Sequence, residues 1–423
     1  MNENDNSFSR SGQRLAVRWL TRYFRQPAKI SDIRGECEGT KGADDARRAR
    51  RLFSSSIRNL RLYRETFSRF ASRKPAPEVE AALILALSEV DLDKRGRTPA
   101  IIDSWVGLIR KNGGKRTAGF ANAVLRKAAA HLTQVRSGVL QLPPGVLHSH
   151  PDWLVERWSR DFGVRETLRI LEWNQKQPDI YAAGDPASQI EVDSLERTRW
   201  PGFYRLSRGI TPEIQELLDL GRLTIRDPAT RIATDLLCSE KPGTVLDMCA
   251  SPGGKSRSLL SRLDDGPEKL IAADLADRLP ILVQNLSPWR ERAEICAIDF
   301  EAPETFPDHW NRHFDAVLLD APCSNSGVIQ RKPDVKWRLN PGDMKRMPVM
   351  QLAFLKAAST FVRNGGALVY SSCSIESAEN RMVVDQFLHS PEGQPFRLTA
   401  AIRAIPTRTG HDGAGVFRLK HKP

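Results

Sequence analysis

Five short runs of aliphatic and β-branched residues, separated by intervals long enough for helices, constrain the fold more than any other feature of this chain. Such alternation predicts a doubly wound, mostly parallel sheet. Four of the runs end in aspartate, and the fifth continues into Ser372-Cys373-Ser374. Because ligands of open α/β sheets bind beyond the carboxyl ends of the strands, these side chains are predicted to converge on one crevice. The runs are residues 244–247, 270–274, 295–299, 316–320 and 367–371.

A glycine-rich turn follows the first run and leads into a predicted helix. Glycines let a ligand approach the backbone closely. The end of the turn, Gly254-Lys255-Ser256, resembles the end of a phosphate-binding P-loop, but that motif requires a glycine where this chain has Cys249. We therefore exclude a nucleoside triphosphatase and expect a nucleoside cofactor. The turn comprises Cys249, Ala250, Ser251, Pro252, Gly253, Gly254 and Lys255.

Two further aspartates end neighbouring runs. Asp274 lies about 20 residues beyond the glycine-rich turn, a spacing at which a carboxylate commonly binds ribose hydroxyls. The alternative for Asp274 is a cap of the next helix. Asp299, at the end of the third run, is placed to meet an adenine amino group.

Two cysteines follow strand ends of the same predicted sheet. Cys323 comes after Asp320-Ala321-Pro322, and Cys373 comes after Ser371-Ser372. Thiolates attack electron-poor carbon, and an adjacent carboxyl group can manage a ring-nitrogen proton. Two alternatives stay open: buried, inert thiols, or a redox pair, although redox pairs normally lie close in sequence.

A basic segment follows the first of these cysteines. Its cationic residues surround one aromatic side chain, which predicts a groove for single-stranded nucleic acid. A solvated basic loop is the alternative. The residues concerned are Arg331, Lys332, Lys336, Trp337 and Arg338.

The first third of the chain is predicted to be helical. Apolar residues recur every three or four positions across residues 46–70, which indicates one face of a helix. Further helices are expected at 78–90, 99–109 and 117–132, with a loop at 111–116 between the last two. Short connections between helices favour an α-bundle. Three prolines and a glycine within 141–152 predict a linker, and a small α+β connector is expected after it.

Positive charge is concentrated in the same third. The chain has 64 Lys and Arg against 51 Asp and Glu. Residues 1–150 carry a net charge of +14 and the remainder a net charge of −1. A basic module on a near-neutral body favours a polyanionic partner, and nucleic acid in particular. Soluble basic helices without such a partner are the alternative.

Other classes are excluded by composition. No uncharged apolar run reaches the length of a membrane span, and the polar N-terminus lacks the apolar region of a secretion signal. The six cysteines are scattered without a CxxC pair, which favours reduced thiols in the cytoplasm and argues against a structural zinc site. We expect a cytoplasmic protein without a metal, and a monomer.

The motifs of the second half resemble those of the Nol/Nop/Sun family of RNA cytosine-5 methyltransferases. The segments that carry this resemblance are LDMCASPGGK, FDAVLLDAPCSNSGVIQRKPDVKW and LVYSSCSIESAEN. Two segments of the front half, KNGGKRTAGFANAVLRKA and SHPDWLVERWSRDFG, resemble the NusB-like RNA-binding domain and connector of bacterial members. The resemblance covers residues 45–423, and 1–45 have no match.

This resemblance implies a multidomain fold. An all-α NusB-like bundle would occupy residues 1–145, an α+β connector 151–225, and an α/β, Rossmann-like class I methyltransferase domain 226–423. The implied cofactor is S-adenosyl-L-methionine, and the implied substrate is RNA. The NusB-like front favours small-subunit ribosomal RNA over transfer RNA.

Roles for individual residues follow from the resemblance alone. Cys373 would attack C6 of cytosine, Asp320 would stabilise the ring through N3, and Cys323 would assist release of 5-methylcytosine. The family's cofactor turn maps to Cys249 through Lys255, with Asp274, Asp299 and Asp320 as its acidic residues. This sequence departs from the family's motifs in three places. Ser372 stands where many relatives have threonine, Asn325-Ser326 stands where Gly-Thr is usual, and the ending at 412–417 is less aromatic. The rivals are a non-catalytic RNA-binding assembly factor and a protein or DNA methyltransferase. The presence of both cysteines disfavours the assembly factor, the second cysteine at Cys373 disfavours a DNA enzyme, and the basic helical module disfavours a protein substrate.

Overall fold

A computed structural model describes residues 10–35, 43–184, 190–262 and 265–423, and the contacts divide the chain into two units. Residues 1–176 together with 331–338 form the first unit, and residues 177–330 with 339–423 form the second. Cys37 lies outside the described residues, as do residues 1–9 and 36–42 of the segment 1–45.

The first unit is helical, as predicted. Its largest apolar cluster is built from α1, α3, α4, α5 and α6, with Trp19, Phe53, Tyr63 and Trp105 fully buried. The helices are α1 (Arg10–Arg25), α2 (Ile30–Gly35), α3 (Ala43–Arg58), α4 (Leu60–Ser68), α5 (Pro77–Leu92), α6 (Thr98–Arg136), α7 (Pro144–Leu147), α8 (Asp152–Phe162), α9 (Val164–Gln175) and α14 (Val335–Arg338).

Two helix boundaries differ from the prediction. The helix expected over 46–70 is interrupted at Asn59, whose backbone leaves the helical region, so it becomes α3 and α4. Conversely, the loop expected at 111–116 shrinks to one non-helical residue, Gly114 (φ 77°, ψ 177°), inside α6. A glycine pair in a basic segment indicates a loop, but a single left-handed glycine is enough to bend a helix. Helices α8 and α9, expected near the connector, have their contacts within the first unit.

The structure corrects the prediction of a nucleic-acid groove at Lys336 and Trp337, whereas Lys332 is exposed and Arg338 donates to Asp334 at 2.8 Å. Lys336 is completely buried and donates to the carbonyl of Arg58 at 2.8 Å, and the indole nitrogen of Trp337 donates to the carbonyl of Ile57 at 2.7 Å. Both carbonyls belong to the last turn of α3, where no further helical amide can reach them. Burial lowers the pKa of Lys336 well below its usual range. These two side chains therefore cap a helix and are not a surface for RNA.

The second unit contains two sheets. The small sheet has the strand order β2-β3-β1-β4, and all of its pairs are antiparallel. It is the β part of the predicted connector, and α10 (Pro212–Asp219) accompanies it. The strands are β1 (Tyr181–Ala183), β2 (Leu195–Arg197), β3 (Phe203–Leu206) and β4 (Thr224–Ile225).

The large sheet has seven strands in the order β10-β11-β9-β8-β5-β6-β7. The five predicted runs form its parallel part, and the two last strands, which the sequence analysis did not identify, extend one edge in antiparallel pairing. Its strands are β5 (Thr244–Met248), β6 (Lys269–Asp274), β7 (Ala293–Ala297), β8 (Phe314–Asp320), β9 (Val362–Ser372), β10 (Phe396–Ala404) and β11 (Ala414–His421).

Both faces of the large sheet are covered, which explains why its central strands are apolar throughout. Alternate residues of β8 belong to different clusters: Val317 and Leu319 pack with α15 and α16, whereas Ala316 and Leu318 pack with the helices of the other face. The predicted Rossmann-like α/β fold is confirmed. The helices of this unit are α11 (Ala229–Cys238), α12 (Gly254–Leu260), α13 (Leu279–Leu286), α15 (Asp343–Phe361), α16 (Arg381–Leu388) and α17 (Pro406–Thr409).

The cap on α3 gives a testable prediction. Trp337→Phe removes the indole donor but keeps an aromatic ring, so it should lower the unfolding free energy of the helical unit by about 1–2 kcal/mol. Hydrogen exchange of the α3 amides measures this loss locally. Trp153→Phe is the matched control, because Trp153 is also half-buried and its indole nitrogen forms no hydrogen bond with the described residues. Equal effects of the two substitutions would contradict the capping role.

Candidate active site

The carboxyl ends of the parallel strands bring the predicted site residues to one edge of the sheet. In the register of the sheet, Asp320 at the end of β8 pairs with Ser371 in β9, two residues before Cys373. On the other side, Met248 of β5 pairs with Leu319 of β8 and with Ala273 of β6. The turn after β5, Asp274, Asp320 and both cysteine loops therefore begin at the same level.

The turn after β5 is held tightly against β6. Ala250 donates to the carbonyl of Ala273 at 3.1 Å, and Gly253 donates back to Ala250 at 2.7 Å. Gly253 has a φ of 97°, and a Cβ there would lie 3.0 Å from Leu282. Both the backbone conformation and the close approach of α13 require glycine at this position.

Asp274 is buried and fixes the turn directly. One carboxylate oxygen accepts the amide of Ser251 at 2.8 Å, and the other accepts the amide of Leu275 at 2.8 Å. A carboxylate has about four acceptor positions, so capacity remains for a hydroxyl of a ligand. Asp274 thus fits the predicted ribose contact and has, in addition, a structural task that the sequence did not indicate.

Asp299 lies two residues beyond the end of β7 and is exposed. Its carboxylate accepts the amide of Glu301 at 2.9 Å. Among the described residues, no hydrogen bond joins Asp299 to the other predicted site residues. Its assignment to an adenine group stays a prediction.

Lys255 forms an ion pair that the sequence analysis did not anticipate. Its ammonium donates to Asp320 at 2.6 Å. Burial alone would lower the pKa of Lys255, but the charge and hydrogen bond of Asp320 hold it above its usual value. Because Asp320 already compensates the charge of Lys255, this lysine contributes little net positive charge for binding the phosphates of a triphosphate. The arrangement agrees with a nucleoside cofactor and with exclusion of a P-loop.

The two cysteines are in contact. Cys323 Sγ and Cys373 Sγ lie 3.2 Å apart, within hydrogen-bond distance for sulfur. Their hydrogen bond, with burial added, holds the pKa of Cys323 well above the usual range of a thiol. The predicted pair is therefore assembled in space from loops that are 50 residues apart in the chain.

Asn325 is a further contact of Cys373. The Cys373 thiol donates to its amide oxygen Oδ1 at 3.2 Å, while its amide nitrogen Nδ2 donates to the carbonyl of Cys323 at 2.9 Å. Asn325 has a φ of 59°, in the left-handed region that asparagine tolerates better than most residues.

The side chain of Glu379 links the two cysteine loops by hydrogen bonds. It is completely buried, and its carboxylate accepts the amide of Ser324 at 2.8 Å and the hydroxyl of Ser374 at 2.8 Å. Gln351 of α15 donates to the same carboxylate at 3.0 Å. Ser324 and Ser374 each directly follow a cysteine, so one carboxylate fixes both loops. The sequence analysis did not identify Glu379. The only hint in the sequence was that a serine directly follows each of the two cysteines, which indicates a shared hydrogen-bond partner.

The backbone around Gly327 lies very close to that of Cys373 and to that of Gly413. Gly327 donates to the carbonyl of Cys373 at 3.0 Å and accepts from Gly413 at 2.8 Å. A Cβ on Gly327 would lie 2.8 Å from each of these partners, so no side chain fits. The segment 412–417, whose ending is less aromatic than in the family, thus contacts the loop that follows Cys323 directly.

Asp247 is a buried acid within the sheet, next to the cofactor turn. It accepts the hydroxyl of Ser256 at 2.5 Å, and burial raises its pKa to about 7. Among the described residues, no three or more His, Cys, Asp or Glu side chains are placed to share a metal ion. No helix in the described ranges has the length and apolar character needed to cross a bilayer.

Comparison with known families gives two matches along the chain. Residues 235–408 match the family described as 16S rRNA methyltransferase RsmB/F, and residues 11–130 match the NusB family. The first match includes β5 to β10, and the second includes most of α1 to α6. The second match begins at residue 11, which corrects the expectation that residues 1–45 have no match.

Individual relatives extend over most of the chain. A protein of Bacillus subtilis (strain 168), described as "Probable ribosomal RNA small subunit methyltransferase B", is 28% identical over 395 residues, which cover 83% of this chain and 84% of the relative. Ribosomal RNA small subunit methyltransferase B of Yersinia pseudotuberculosis (strain IP 31758) is 29% identical over 317 residues, covering 71% and 72% of the two chains.

Solved structures share the fold. The structure titled "Crystal Structure of PH0851" has a TM-score of 0.74 at 22% identity and covers 97% of this chain and 98% of its own. NSun6 from Pyrococcus horikoshii with SFG has a TM-score of 0.55 at 16% identity and covers 66% of this chain and 100% of its own.

The buried acid Asp247 gives a prediction of pH dependence. Its folded-state pKa of about 7 exceeds the unfolded value of 3.8, so the folded state keeps a proton that the unfolded state loses. The wild type should therefore lose stability as the pH rises from about 4 to about 7, by up to about 4 kcal/mol. Asp247→Asn should lack this loss. Its stability advantage, measured by urea unfolding, should grow across that window and stay constant above it; an advantage independent of pH would contradict the assignment.

Proposed function

Because its matched segments belong to the RsmB/F methyltransferase and NusB families, we propose that this protein methylates C5 of cytosine in small-subunit ribosomal RNA through a covalent Cys373 intermediate. It is an RNA methyltransferase that uses S-adenosyl-L-methionine. The observation that carries the finer proposal is the pair of thiols 3.2 Å apart beside the Lys255–Asp320 ion pair.

Cytosine chemistry explains why a thiol pair is needed. C5 of cytosine is a weak nucleophile, and addition of a thiolate to C6 converts C5 into an enamine carbon. In our proposal Cys373 Sγ bonds to C6 while its proton passes to N3 by way of the Asp320 carboxylate, so the adduct is neutral. The enamine carbon C5 then bonds to the methyl group that the cofactor supplies. Covalent catalysis of this kind divides one difficult step into easier ones. The target base must be unpaired or flipped out of a helix to reach Cys373.

We assign to Cys323 the removal of the proton at C5. In the free protein the hydrogen bond with Cys373 is the largest cause that raises the pKa of Cys323. Once Cys373 Sγ is bonded to C6 it can no longer ionise, so its charge no longer opposes a thiolate at Cys323. Cys323 would then remove the C5 proton, the C5–C6 double bond would re-form, and Cys373 would leave. Cys323 would therefore act as a base only after Cys373 has bonded to the target.

The cofactor residues remain assignments by position. S-adenosyl-L-methionine supplies an electrophilic methyl group when it is bound. We assign its ribose to Asp274, its adenine side to Asp299, and its remaining contacts to the turn Cys249–Lys255 and to Asp320. The compact turn and the neutralised Lys255 support a ligand without phosphates.

RNA binding is assigned mainly to the basic helical unit. Its net positive charge suits a phosphate backbone, and the relatives named for small-subunit ribosomal RNA favour that substrate over transfer RNA. We propose that the helical domain at 1–145 binds RNA, that 151–225 connects, and that 226–423 performs the chemistry in the cytoplasm. A non-catalytic assembly factor would not need both thiols in contact.

The ribose assignment predicts the effect of Asp274→Ala. Loss of a charge-assisted hydrogen bond, together with loosening of the Ser251 amide, should weaken S-adenosylmethionine binding by about 1–3 kcal/mol. Isothermal titration calorimetry measures the affinity. Asp277→Ala is the control, since Asp277 is exposed three residues away. Unchanged affinity in Asp274→Ala would remove Asp274 from the cofactor site.

The two cysteines should differ in their variants. Cys373→Ala lacks the attacking sulfur, so neither product nor adduct should form. Cys323→Ala can still attack and transfer methyl, but release is impaired, so a protein–RNA adduct should survive denaturing electrophoresis. Cys296→Ala, at a half-buried cysteine of β7, should behave like the wild type. An adduct formed only by Cys373→Ala would show that the two roles are reversed, and no adduct from any variant would argue against the covalent route.

A further inference from the structure

The environment of the Cys373 thiol contains an acceptor that the proposed reaction does not use. The thiol donates to Oδ1 of Asn325 at 3.2 Å. An amide oxygen favours the protonated thiol and opposes the thiolate, since the oxygen carries partial negative charge. Methylation by way of Cys373 requires the opposite state, the thiolate.

The orientation of this amide is fixed by its other end. Nδ2 of Asn325 donates to the carbonyl of Cys323 at 2.9 Å. If the amide were turned over, Oδ1 would face that carbonyl oxygen and the hydrogen bond to Cys323 would be lost, so this bond determines that Oδ1 faces Cys373. The Asn325 backbone is also held, because its carbonyl accepts the amide of Val328 at 3.1 Å.

We propose that Asn325 holds the Cys373 nucleophile in its protonated, less reactive form in the free protein. Approach of the target base to Cys373 would break this contact before Cys373 Sγ bonds to C6. Asn325 thereby limits alkylation and oxidation of the nucleophile when no RNA is bound. This inference rests on the proposed function for the identity of the nucleophile.

Other charged groups surround the thiol pair and stay unchanged in the test. They are Cys323 on the same loop as Asn325, the ion pair of Lys255 in α12 with Asp320 at the end of β8, Glu379, and Arg403 of β10, which donates to the carbonyl of Ile375. Substitution of Asn325 alone therefore isolates its contribution to the protonation of Cys373.

The test is the pH profile of Cys373 alkylation by iodoacetamide in the full-length protein without RNA or cofactor. Trypsin releases residues 364–381, which contain Cys373 alone, and residues 313–331, which contain Cys323 alone, so mass spectrometry quantifies each thiol separately. Asn325→Gly keeps the left-handed backbone and removes the acceptor. Its profile should move to lower pH, with alkylation at neutral pH about 2- to 10-fold faster.

Two further variants of Asn325 test whether its amide oxygen causes the effect. Asn325→Ala should move the profile in the same direction as Asn325→Gly. Asn325→Asp places a negative charge beside the thiol and should move it to higher pH, with alkylation about 10-fold slower. A purely structural role predicts no shift, or the same shift for all three variants, and either result would overturn the proposal. Because the assay involves no methyl transfer, its outcome is separate from that of the adduct experiment.

Discussion

The buried carboxylate of Glu379 is the interaction on which the geometry of the site depends. A buried charge is costly unless hydrogen bonds compensate for it, and here three donors do so: the Ser324 amide, the Ser374 hydroxyl and the Gln351 amide. Two of these donors directly follow the cysteines. The free energy needed to keep the carboxylate satisfied therefore also keeps Cys323 and Cys373 at their short separation.

The sheet makes this arrangement available. Strands β8 and β9 are adjacent and parallel, so the loops that leave their carboxyl ends begin side by side. Seven strands with both faces covered form a rigid support, and the site residues lie on the loops that leave it. The Lys255–Asp320 ion pair joins the first turn of α12 to the end of β8. Rigid placement of this kind suits a reaction in which a thiol must reach one carbon atom of a base.

The sequence predicted those parts of the molecule that depend on local pattern. Apolar runs ending in polar residues located the parallel strands, and the motifs around Cys323 and Cys373 located the site. Contacts between distant segments were not predictable in the same way. Trp337 and Lys336 have the composition of a nucleic-acid groove, yet they cap α3 because its last carbonyls need donors. Glu379 and Asn325 acquire their roles only when two loops 50 residues apart meet, and β10 and β11 lack the strand-end signature of the parallel runs.

The most direct test of C5 methylation follows the hydrogen that the methyl group replaces. Small-subunit ribosomal RNA carrying tritium at C5 of cytosine, incubated with the protein and S-adenosylmethionine, should release tritium to water. The account predicts one tritium released for each methyl group incorporated, and no release of this kind with Cys373→Ala. Methyl incorporation with tritium fully retained would place the methyl group on another atom and would contradict the central claim.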